Sequence, residues 1–369
     1  MAAETRPLRL LLLSVGYGQG HHSAAAALAE EYTSRGWECR TLDPCAAAHP
    51  LLFGITQAYY AFCVRRAPEL WAFTYDMTET ADWRFCVRWP VLREATDAVE
   101  QTLNVFRPDF VICTYPLFAY MLDNIAARGG RRVPYAMVVT DALTISSPWM
   151  KSQAPLVFVP DAYSQQEVCN RYGLNTDKVQ AAGFPVRRAF TPNTALLPPS
   201  ADDFHIVYAC YISKRRTLEQ VQAILDRFPH ARITVITGNF LPIFRRYFSK
   251  MEQNGRLTLL SHCKKMPELM RTAHVYIGKA GAATLFECYC TELPMLINYA
   301  LPGQEQGNQE LIQLDGAGQR VHSTADMLNA LQGLATPQRW SACRQAIRNA
   351  RRSGAAARIA DAIETRFFS

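Results

Sequence analysis

The most constraining feature of this chain is the stretch from Tyr276 to Asn308, which reads YIGKAGAATLFECYCTELPMLINYALPGQEQGN. The pattern predicts that a buried strand ends at 275–277 and is followed by a turn at 278–281 and a helix at 282–289. A second strand is predicted at 294–299 and a polar loop at 302–308. A strand that returns to the same sheet through a helix forms parallel α/β structure. The stretch therefore favours an α/β fold with its ligand at the turn.

The groups in this stretch suit a nucleotide sugar. Backbone N–H groups and the helix dipole attract an anion at the start of the predicted helix. Glu287 lies about one helical turn further on, where a carboxylate accepts from the two hydroxyls of a ribose. Amide and carboxylate side chains in the loop suit sugar hydroxyls. The candidate donor-binding residues of the stretch are Lys279, Gly281, Ala282, Thr284, Glu287, Gln304, Glu305 and Asn308. The alternative interpretation is an ordinary α/β crossover with polar loop residues.

The same type of unit opens the chain. An apolar run without alternation, Leu8 to Val15, predicts a buried parallel strand, and an Ala-rich helix is predicted from Ser23 to Tyr32. Between them, His21 is expected at the mouth of the sheet, where ligands of doubly wound folds bind. The alternative is that His21 only caps the helix. The neighbouring His22 is expected on the helix surface.

Residues 51–89 differ in character, because aromatic residues alternate there with arginines. Such segments suit a lipid interface, and the mild positive charge of the chain, +7, suits an anionic surface. A helical insertion with aromatics in its core is the alternative. The residues predicted to contact acceptor or membrane are Tyr59, Tyr60, Arg65, Arg66, Trp71 and, further on, Trp149.

Several classes of protein are not expected. Leu10 to Leu13 is too short for a membrane span, and no run approaches about 20 apolar residues, so membrane contact is predicted to be peripheral, at the cytoplasmic face. The 11 cysteines are scattered without a CxxC pair, which favours reduced thiols and no metal site. No nucleic-acid-binding signature is present, so nucleic acid is not an expected partner.

The segments KAGAATLFE and LINYALPGQEQGN resemble the donor-site signature of family 28 glycosyltransferases. The similarity is to the lipid branch, which contains bacterial processive diacylglycerol glucosyltransferases and plant monogalactosyldiacylglycerol synthases. The motif at 18–21 resembles the family's GxGH, which implies that Gly20 contacts the donor and that His21 is the catalytic base. The resemblance also implies that residues 262–266, Met266 among them, read the nucleobase.

Two departures from the family pattern stand out. Thr140, Asp141 and Trp149 match a family segment, but Ser146 stands where the family has a histidine. Asp141 is predicted to orient His21 as a second catalytic residue; the alternative is an N-cap. The sequence at 210–214 lacks the glycines with which the family approaches the donor phosphates, so the side chain of Ser213 or of Lys214 is the predicted substitute.

The resemblance implies the GT-B fold, in which two doubly wound, Rossmann-like α/β domains face each other across a cleft. We predict an acceptor- and membrane-facing domain at 1–195 and a donor-binding domain at 196–369, with a Pro-rich linker at 191–203. In this fold class a terminal helix often crosses back to the first domain. A solvated face is the alternative for the Arg-rich C-terminal region.

The function implied is inverting transfer of a hexose from a UDP-sugar to a lipid hydroxyl, with diacylglycerol as the expected acceptor and no metal or other cofactor. Two alternatives stay open: a polyprenyl-linked acceptor, and a catalytically weak, membrane-associated protein that binds UDP-sugar. A UDP-sugar epimerase is a remote third, since it would leave the PGQE loop and the aromatic segment without a role.

Overall fold

A computed structural model of the protein describes residues 6–17, 20–350 and 352–369. These residues divide into two compact units. The first unit ends at Arg188 but also includes Pro302–Gln304 and Gly354–Ser369, and the second comprises Ala189–Leu301 and Glu305–Ser353. The sequence placed the division between 195 and 196, seven residues later than the observed one.

The first unit alternates strands and helices. Its elements are β1 (Arg9–Leu13), α1 (Gly20–Ser34), β2 (Glu38–Leu42), α2 (Pro44–Ala48), α3 (Pro50–Arg66), α4 (Pro68–Thr80), α5 (Trp83–Cys86), α6 (Pro90–Phe106), β3 (Phe110–Cys113), α7 (Pro116–Ala127), β4 (Tyr135–Val138), β5 (Val157–Val159), α8 (Ala162–Tyr172) and β6 (Val179–Ala181). A 3₁₀ turn at Ser147–Trp149 lies between β4 and β5.

The described strands of this unit form one parallel sheet in the order β2-β1-β3-β4-β5-β6. Successive residues of β1 point to opposite faces: Leu11 and Leu13 pack with α6 and α7, whereas Leu10 and Leu12 pack with α1. Because both faces are covered by helices, the strand is apolar throughout and shows no alternation. The predicted buried parallel strand is confirmed.

The second unit has the same plan. Its elements are β7 (His205–Ala209), α9 (Lys214–Arg227), β8 (Arg232–Ile236), α10 (Leu241–Gln253), β9 (Leu257–Leu260), α11 (Met266–Thr272), β10 (Val275–Lys279), α12 (Ala282–Thr291), β11 (Met295–Tyr299), α13 (Gln306–Leu314), β12 (Gly318–Arg320), α14 (Thr324–Leu334) and α15 (Pro337–Ala350). Its described strands form a parallel sheet in the order β12-β11-β10-β7-β8-β9.

Helix α16 (Ala355–Phe367) belongs to the first unit although it ends the chain. Its Ile359 and Ile363 are fully buried against the face of the sheet that also receives α1. The approach is close at Gly183, where a Cβ atom would lie 2.7 Å from Ala355 Cβ and where φ is +99°. Glycine is therefore required at 183 on two grounds, space and backbone conformation.

His205 begins β7 and is buried. Its ring nitrogens meet the Thr272 carbonyl and the Thr234 hydroxyl, each at 3.0 Å. Burial lowers the pKa of His205, and the hydrogen bond to Thr272 opposes that shift only in part. The second unit therefore holds this imidazole in its neutral form.

Three predicted element boundaries are wrong. Helix α1 begins at Gly20 and not at Ser23, so His21 lies in its first turn. Strand β10 continues through Lys279, where a turn was predicted. The predicted loop ends at Glu305, because α13 begins at Gln306. In each case the sequence analysis predicted a helix or strand that is too short, because the polar residues and glycines at its end resemble those of a loop.

Candidate functional site

His21 is the buried histidine of the first unit's sheet mouth, with 6% of its surface exposed. Its Nδ1 lies 2.6 Å from the Thr114 carbonyl oxygen and 3.0 Å from Thr140 Oγ1. Because a carbonyl only accepts, Nδ1 carries the hydrogen and Nε2 keeps the lone pair. Burial lowers the pKa of His21 to about 4, and the hydrogen bond to Thr114 opposes this shift. The side chain is thus a neutral base at ordinary pH.

The group that fixes the tautomer of His21 is the Thr114 carbonyl, which the sequence did not suggest. Asp141, predicted for that role, is buried and lines the same cavity as His21. Its participation in the reaction stays a prediction.

His22 lies at the surface of α1, as expected, with 41% of its side chain exposed, but it also makes contacts. Its Nδ1 lies 2.9 Å from Ser14 Oγ, and its Nε2 lies 4.0 Å from Asp43 Oδ2. Asp43 in turn accepts from the Gly16 backbone N–H at 3.0 Å. These contacts tie the start of α1 to the end of β1, so His22 has a structural position here.

An aromatic cavity of about 350 Å³ opens beside His21. It is lined by Tyr17, His21, Thr56, Tyr59, Tyr60, Trp71, Thr74, Tyr75, Thr78, Trp83, Tyr115, Pro116, Asp141, Ser146, Pro148, Trp149 and Gln304. Eight of these side chains are Tyr or Trp, and most of the surface that lines the cavity is apolar. A largely apolar cavity with a few polar groups beside a base is the usual form of a small-molecule site.

Four residues predicted to contact the acceptor, Tyr59, Tyr60, Trp71 and Trp149, all line this cavity. The sequence missed Tyr75, although it follows Trp71 by four residues and so shares its helix face. Arg66 is exposed and is not among the lining residues, and the side chain of Arg65 lies outside the described part.

Gln304 was predicted to hold the donor sugar. It lines the cavity of the first unit, because Pro302–Gln304 belong to that unit. Gly303 fits closely there, since a Cβ atom on it would lie 3.2 Å from Tyr75 Cδ1. The PGQE segment therefore contributes to both units, which sequence alone did not indicate.

Helices α3 to α5 leave large apolar side chains exposed to solvent. Phe62 is 54% exposed, Phe73 63% and Met77 58%. None of the described side chains of α4 is buried. The alternative in which these aromatics form the core of an insertion is wrong for α4, since its aromatic side chains face either the cavity or solvent.

In the second unit, the turn between β10 and α12 has the strand, turn and helix order predicted for an anion site. Gly281 is the N-cap of α12 and, as a glycine, caps the helix with no side chain of its own. The first N–H groups of a helix have no acceptor within the helix, and an anion can use them. Gly278 is required, because a Cβ atom would lie 2.5 Å from Tyr276 Oη. Ala282 is buried, whereas Thr284 and Glu287 are half-buried near the start of the same helix.

Glu305 and Asn308 shape this turn. Glu305 accepts from Lys279 Nζ at 2.5 Å and from the Leu301 backbone N–H at 2.9 Å, and it is 4% exposed. Asn308 Nδ2 donates to the Ala280 carbonyl at 2.9 Å and is fully buried. Both side chains were predicted to hold a sugar from a loop, and that role stays a prediction. The contacts that they make here hold the turn between β10 and α12 in place.

The segment between β7 and α9, which lacks glycines, contains an N-cap serine and a tyrosine beside a lysine. Ser213 is exposed and is the N-cap of α9, where its Oγ accepts from the Arg216 N–H at 3.4 Å. Tyr211 lies against Lys279, whose Nζ is 5.6 Å from the ring centre. Met266 is half-buried at the first position of α11. The expected glycine backbone is thus replaced by an aromatic ring over a lysine.

The described residues show neither a metal-binding cluster nor a membrane-spanning helix. They contain no group of three or more His, Cys, Asp or Glu side chains arranged to hold a metal ion. They also contain no helix with the length and apolar character needed to cross a bilayer.

Two six-stranded parallel α/β units of this kind define the GT-B class of glycosyltransferase folds. Residues 21–186 match the family model for monogalactosyldiacylglycerol synthase, and residues 215–321 match that for the glycosyltransferase family 28 C-terminal domain. The chain belongs to glycosyltransferase family 28, as its motifs indicated.

Curated relatives are similar over most of their length. The processive diacylglycerol beta-glucosyltransferase of Bacillus cytotoxicus is 23% identical over 335 residues, covering 88% of this chain and 85% of the relative. The enzyme of the same name from Staphylococcus saprophyticus is 21% identical and covers 87% of this chain and 83% of its own length.

Solved structures agree on the fold. MurG from Acinetobacter baumannii superposes with a TM-score of 0.62 at 14% identity, covering 97% of this chain and all of MurG. UGT2 from Phytolacca americana, solved with UDP-2fluoro-glucose and pterostilbene, has a TM-score of 0.62 at 10% identity, covering 98% of this chain and 100% of that structure.

Proposed function

We propose that the protein transfers a hexose from a UDP-sugar to the free hydroxyl of diacylglycerol, with inversion at the anomeric carbon. The observation that carries the proposal is His21: a neutral, buried imidazole beside an aromatic cavity, in a chain whose relatives are named as diacylglycerol glucosyltransferases.

In the proposed reaction, His21 Nε2 takes the proton of the acceptor hydroxyl while its oxygen attacks the anomeric carbon. The bond from that carbon to the phosphate oxygen breaks, and its electron pair leaves with UDP. The N–H groups at the start of α12 stabilise the departing diphosphate, and Glu287 binds the ribose. Lys279 lies beside this turn, where its charge is balanced by the Glu305 carboxylate. Gly20, Ser213 and Met266 stay candidate donor contacts.

Acceptor delivery is assigned to α3, α4 and α5. Diacylglycerol is insoluble in water, so it must be taken from a membrane, and the exposed Phe62, Phe73 and Met77 supply an apolar surface for that contact. Exposed Arg66 supplies positive charge near the same surface. We infer a peripheral protein of the cytoplasmic membrane face with a preference for anionic lipid.

The deciding experiment incubates purified protein with vesicles that contain diacylglycerol and with a panel of radiolabelled UDP-sugars. Labelled glycolipid from one sugar identifies donor, acceptor and reaction class together. His21→Ala and His21→Gln are expected to remove turnover and leave UDP binding intact. His230→Ala is the matched control, because His230 is an exposed histidine of the second unit.

Two results would favour the alternatives. Label that appears only on a polyprenyl-linked acceptor would replace diacylglycerol. UDP binding and vesicle association without any labelled product would favour a weakly catalytic binding protein. That second alternative has structural support in Tyr211, which lies over Lys279 where the family has glycines.

A further inference from the structure

Helix α4 forms one wall of the aromatic cavity without a buried face of its own. The residues that line the cavity from this helix are Trp71, Thr74, Tyr75 and Thr78. None of the side chains of α4 is buried. An element with few buried apolar contacts opens more readily than one packed into a core. Polar contacts therefore matter more for the position of this wall than for a helix with a buried face.

Glu79, in the last turn of α4, makes such a polar contact. Its Oε2 and Oε1 lie 2.9 Å and 3.1 Å from the backbone nitrogen of Ser147, whose N–H donates to the carboxylate. In return, Ser147 Oγ donates to the Glu79 carbonyl at 2.8 Å. The two residues are 68 positions apart in the chain. The Glu79–Ser147 contact thus joins α4 to the segment between β4 and β5.

That segment lines the cavity as well. Ser146, Pro148 and Trp149 are lining residues, and Ser147–Trp149 form the 3₁₀ turn. Ser146 is the N-cap of the turn, and its side chain makes no capping hydrogen bond. The first N–H of the turn has no acceptor within it, so the Glu79 carboxylate supplies the cap from another helix. A cap supplied in this way fixes the two walls relative to each other.

We propose that Glu79 is a positioning residue for the acceptor lipid: by holding α4 against the Ser147–Trp149 turn, it keeps the cavity in the form that binds diacylglycerol. This inference rests on the proposed function for the identity of the acceptor. Glu79 is not a lining residue, so it acts through the walls that it joins.

This role separates binding from chemistry. When the contact is lost, the binding form of the cavity is populated in only part of the molecules, and the apparent affinity falls by that fraction. Bound acceptor restores the wall. The contacts of His21 with Thr114 and Thr140 do not involve α4, so the step at His21 is unchanged once the acceptor is bound.

The expected effects follow from the strength of the contact. A hydrogen bond to a charged group is strong enough to change a two-state population about tenfold, so Glu79→Ala should raise the Kd and the KM for the acceptor about tenfold. The kcat should stay within about twofold of the wild-type value. The Kd of UDP should not change, because the donor turn belongs to the second unit.

Two further variants test the geometry. Glu79→Gln keeps an oxygen that accepts from the Ser147 N–H, so its Kd should lie within about threefold of the wild-type value. Glu79→Asp keeps the charge but draws the carboxylate back by one methylene, so it should raise the Kd about fivefold. Glu79→Asp also replaces Glu79→Ala in the comparison if circular dichroism shows that the alanine variant does not fold.

The measurement is isothermal titration of the full-length protein with water-soluble dihexanoylglycerol and, separately, with UDP. Glu69→Ala is the matched control, because Glu69 is an exposed residue in the first turn of the same helix and its loss changes the charge equally. A Kd of Glu79→Ala within about twofold of the wild-type value, or an equal loss in Glu69→Ala, overturns the inference. So do a glutamine variant as weak as the alanine variant and the absence of binding by the wild type.

Transfer from UDP-sugar to dihexanoylglycerol is measured in parallel, because it tests the proposed function separately. Weaker binding by Glu79→Ala, with no product from the wild type, supports the inference and counts against the proposed reaction. Transfer at the same KM by the wild type and Glu79→Ala supports the reaction and overturns the inference. A lower kcat at unchanged KM also overturns it, since that result would place Glu79 in the chemical step.

Discussion

The burial of His21 leads to a quantitative prediction for the pH dependence of transfer. The ordinary imidazole pKa is 6.5, and burial lowers that of His21 to about 4. The difference corresponds to roughly 3 kcal/mol in favour of the neutral form. Since the base must be neutral to accept a proton, activity is retained below the usual histidine range and is lost as the pH falls through about 4.

The expected contrast is large at pH 5.5. With the lowered pKa, about 97% of His21 is neutral at that pH, against about 9% for an unperturbed histidine. The ratio of kcat/KM at pH 5.5 to that at pH 7.5 should therefore be close to 1, whereas an ordinary histidine would give about 0.1.

The measurement is kcat/KM in diacylglycerol vesicles between pH 5 and pH 8, with circular dichroism to confirm that the protein stays folded. Tyr115→Ala supplies the perturbation, because the Tyr115 ring lies edge-on to His21 with centres 5.1 Å apart. Admitting water there should move the acid limb toward 6.5, and Tyr115→Phe should leave it in place. A wild-type midpoint near 6.5 would refute the assignment of a buried neutral base.

Three further predictions concern stability. Lys279→Met leaves the buried Glu305 carboxylate without a counter-charge, since among the described residues only its hydrogen bond from the Leu301 N–H remains. The free energy of unfolding, measured from urea denaturation, should fall by about 3 to 5 kcal/mol, and adding Glu305→Gln should recover most of that loss. Gly183→Ala should lower the free energy of unfolding by about 1 to 3 kcal/mol. Gly173→Ala should lower it by at most about 1 kcal/mol, because Gly173 also has a positive φ but has open space for a Cβ atom. Folding lowers the pKa of His205, so neutral His205 contributes to the stability of the folded state above the pKa that the residue has in the unfolded chain. This contribution is lost as the pH falls. The urea midpoint should therefore drop between pH 7 and pH 5, and it should drop less in the His205→Phe variant.

Much of the fold was predictable, because a strand covered on both faces is apolar throughout. The runs that became β1, β7 and β10 have this property, and the spacing between such runs is long enough for crossover helices. The GT-B prediction and the family assignment are confirmed. Gly173 ends α8 in the left-handed conformation that glycine adopts readily.

The site was less predictable, because its decisive contacts join residues far apart in the chain. The Thr114 carbonyl that sets the tautomer of His21 belongs to the backbone, and no side-chain pattern identifies it. The separation of Gln304 from Glu305, one in each unit, likewise depends on three-dimensional packing. The donor and acceptor roles of the individual residues stay predictions until the transfer assay is made.

The position of α16 has a consequence for how the protein is made. Ile359 and Ile363 complete the hydrophobic face that Leu10 and Leu12 begin, so the core of the first unit contains residues from both ends of the chain. During synthesis the N-terminal domain of a protein usually folds first. Here α16 is synthesised only after the second unit, so it cannot complete the first unit's core earlier. The N-terminal half therefore keeps apolar surface uncovered until α16 has been made.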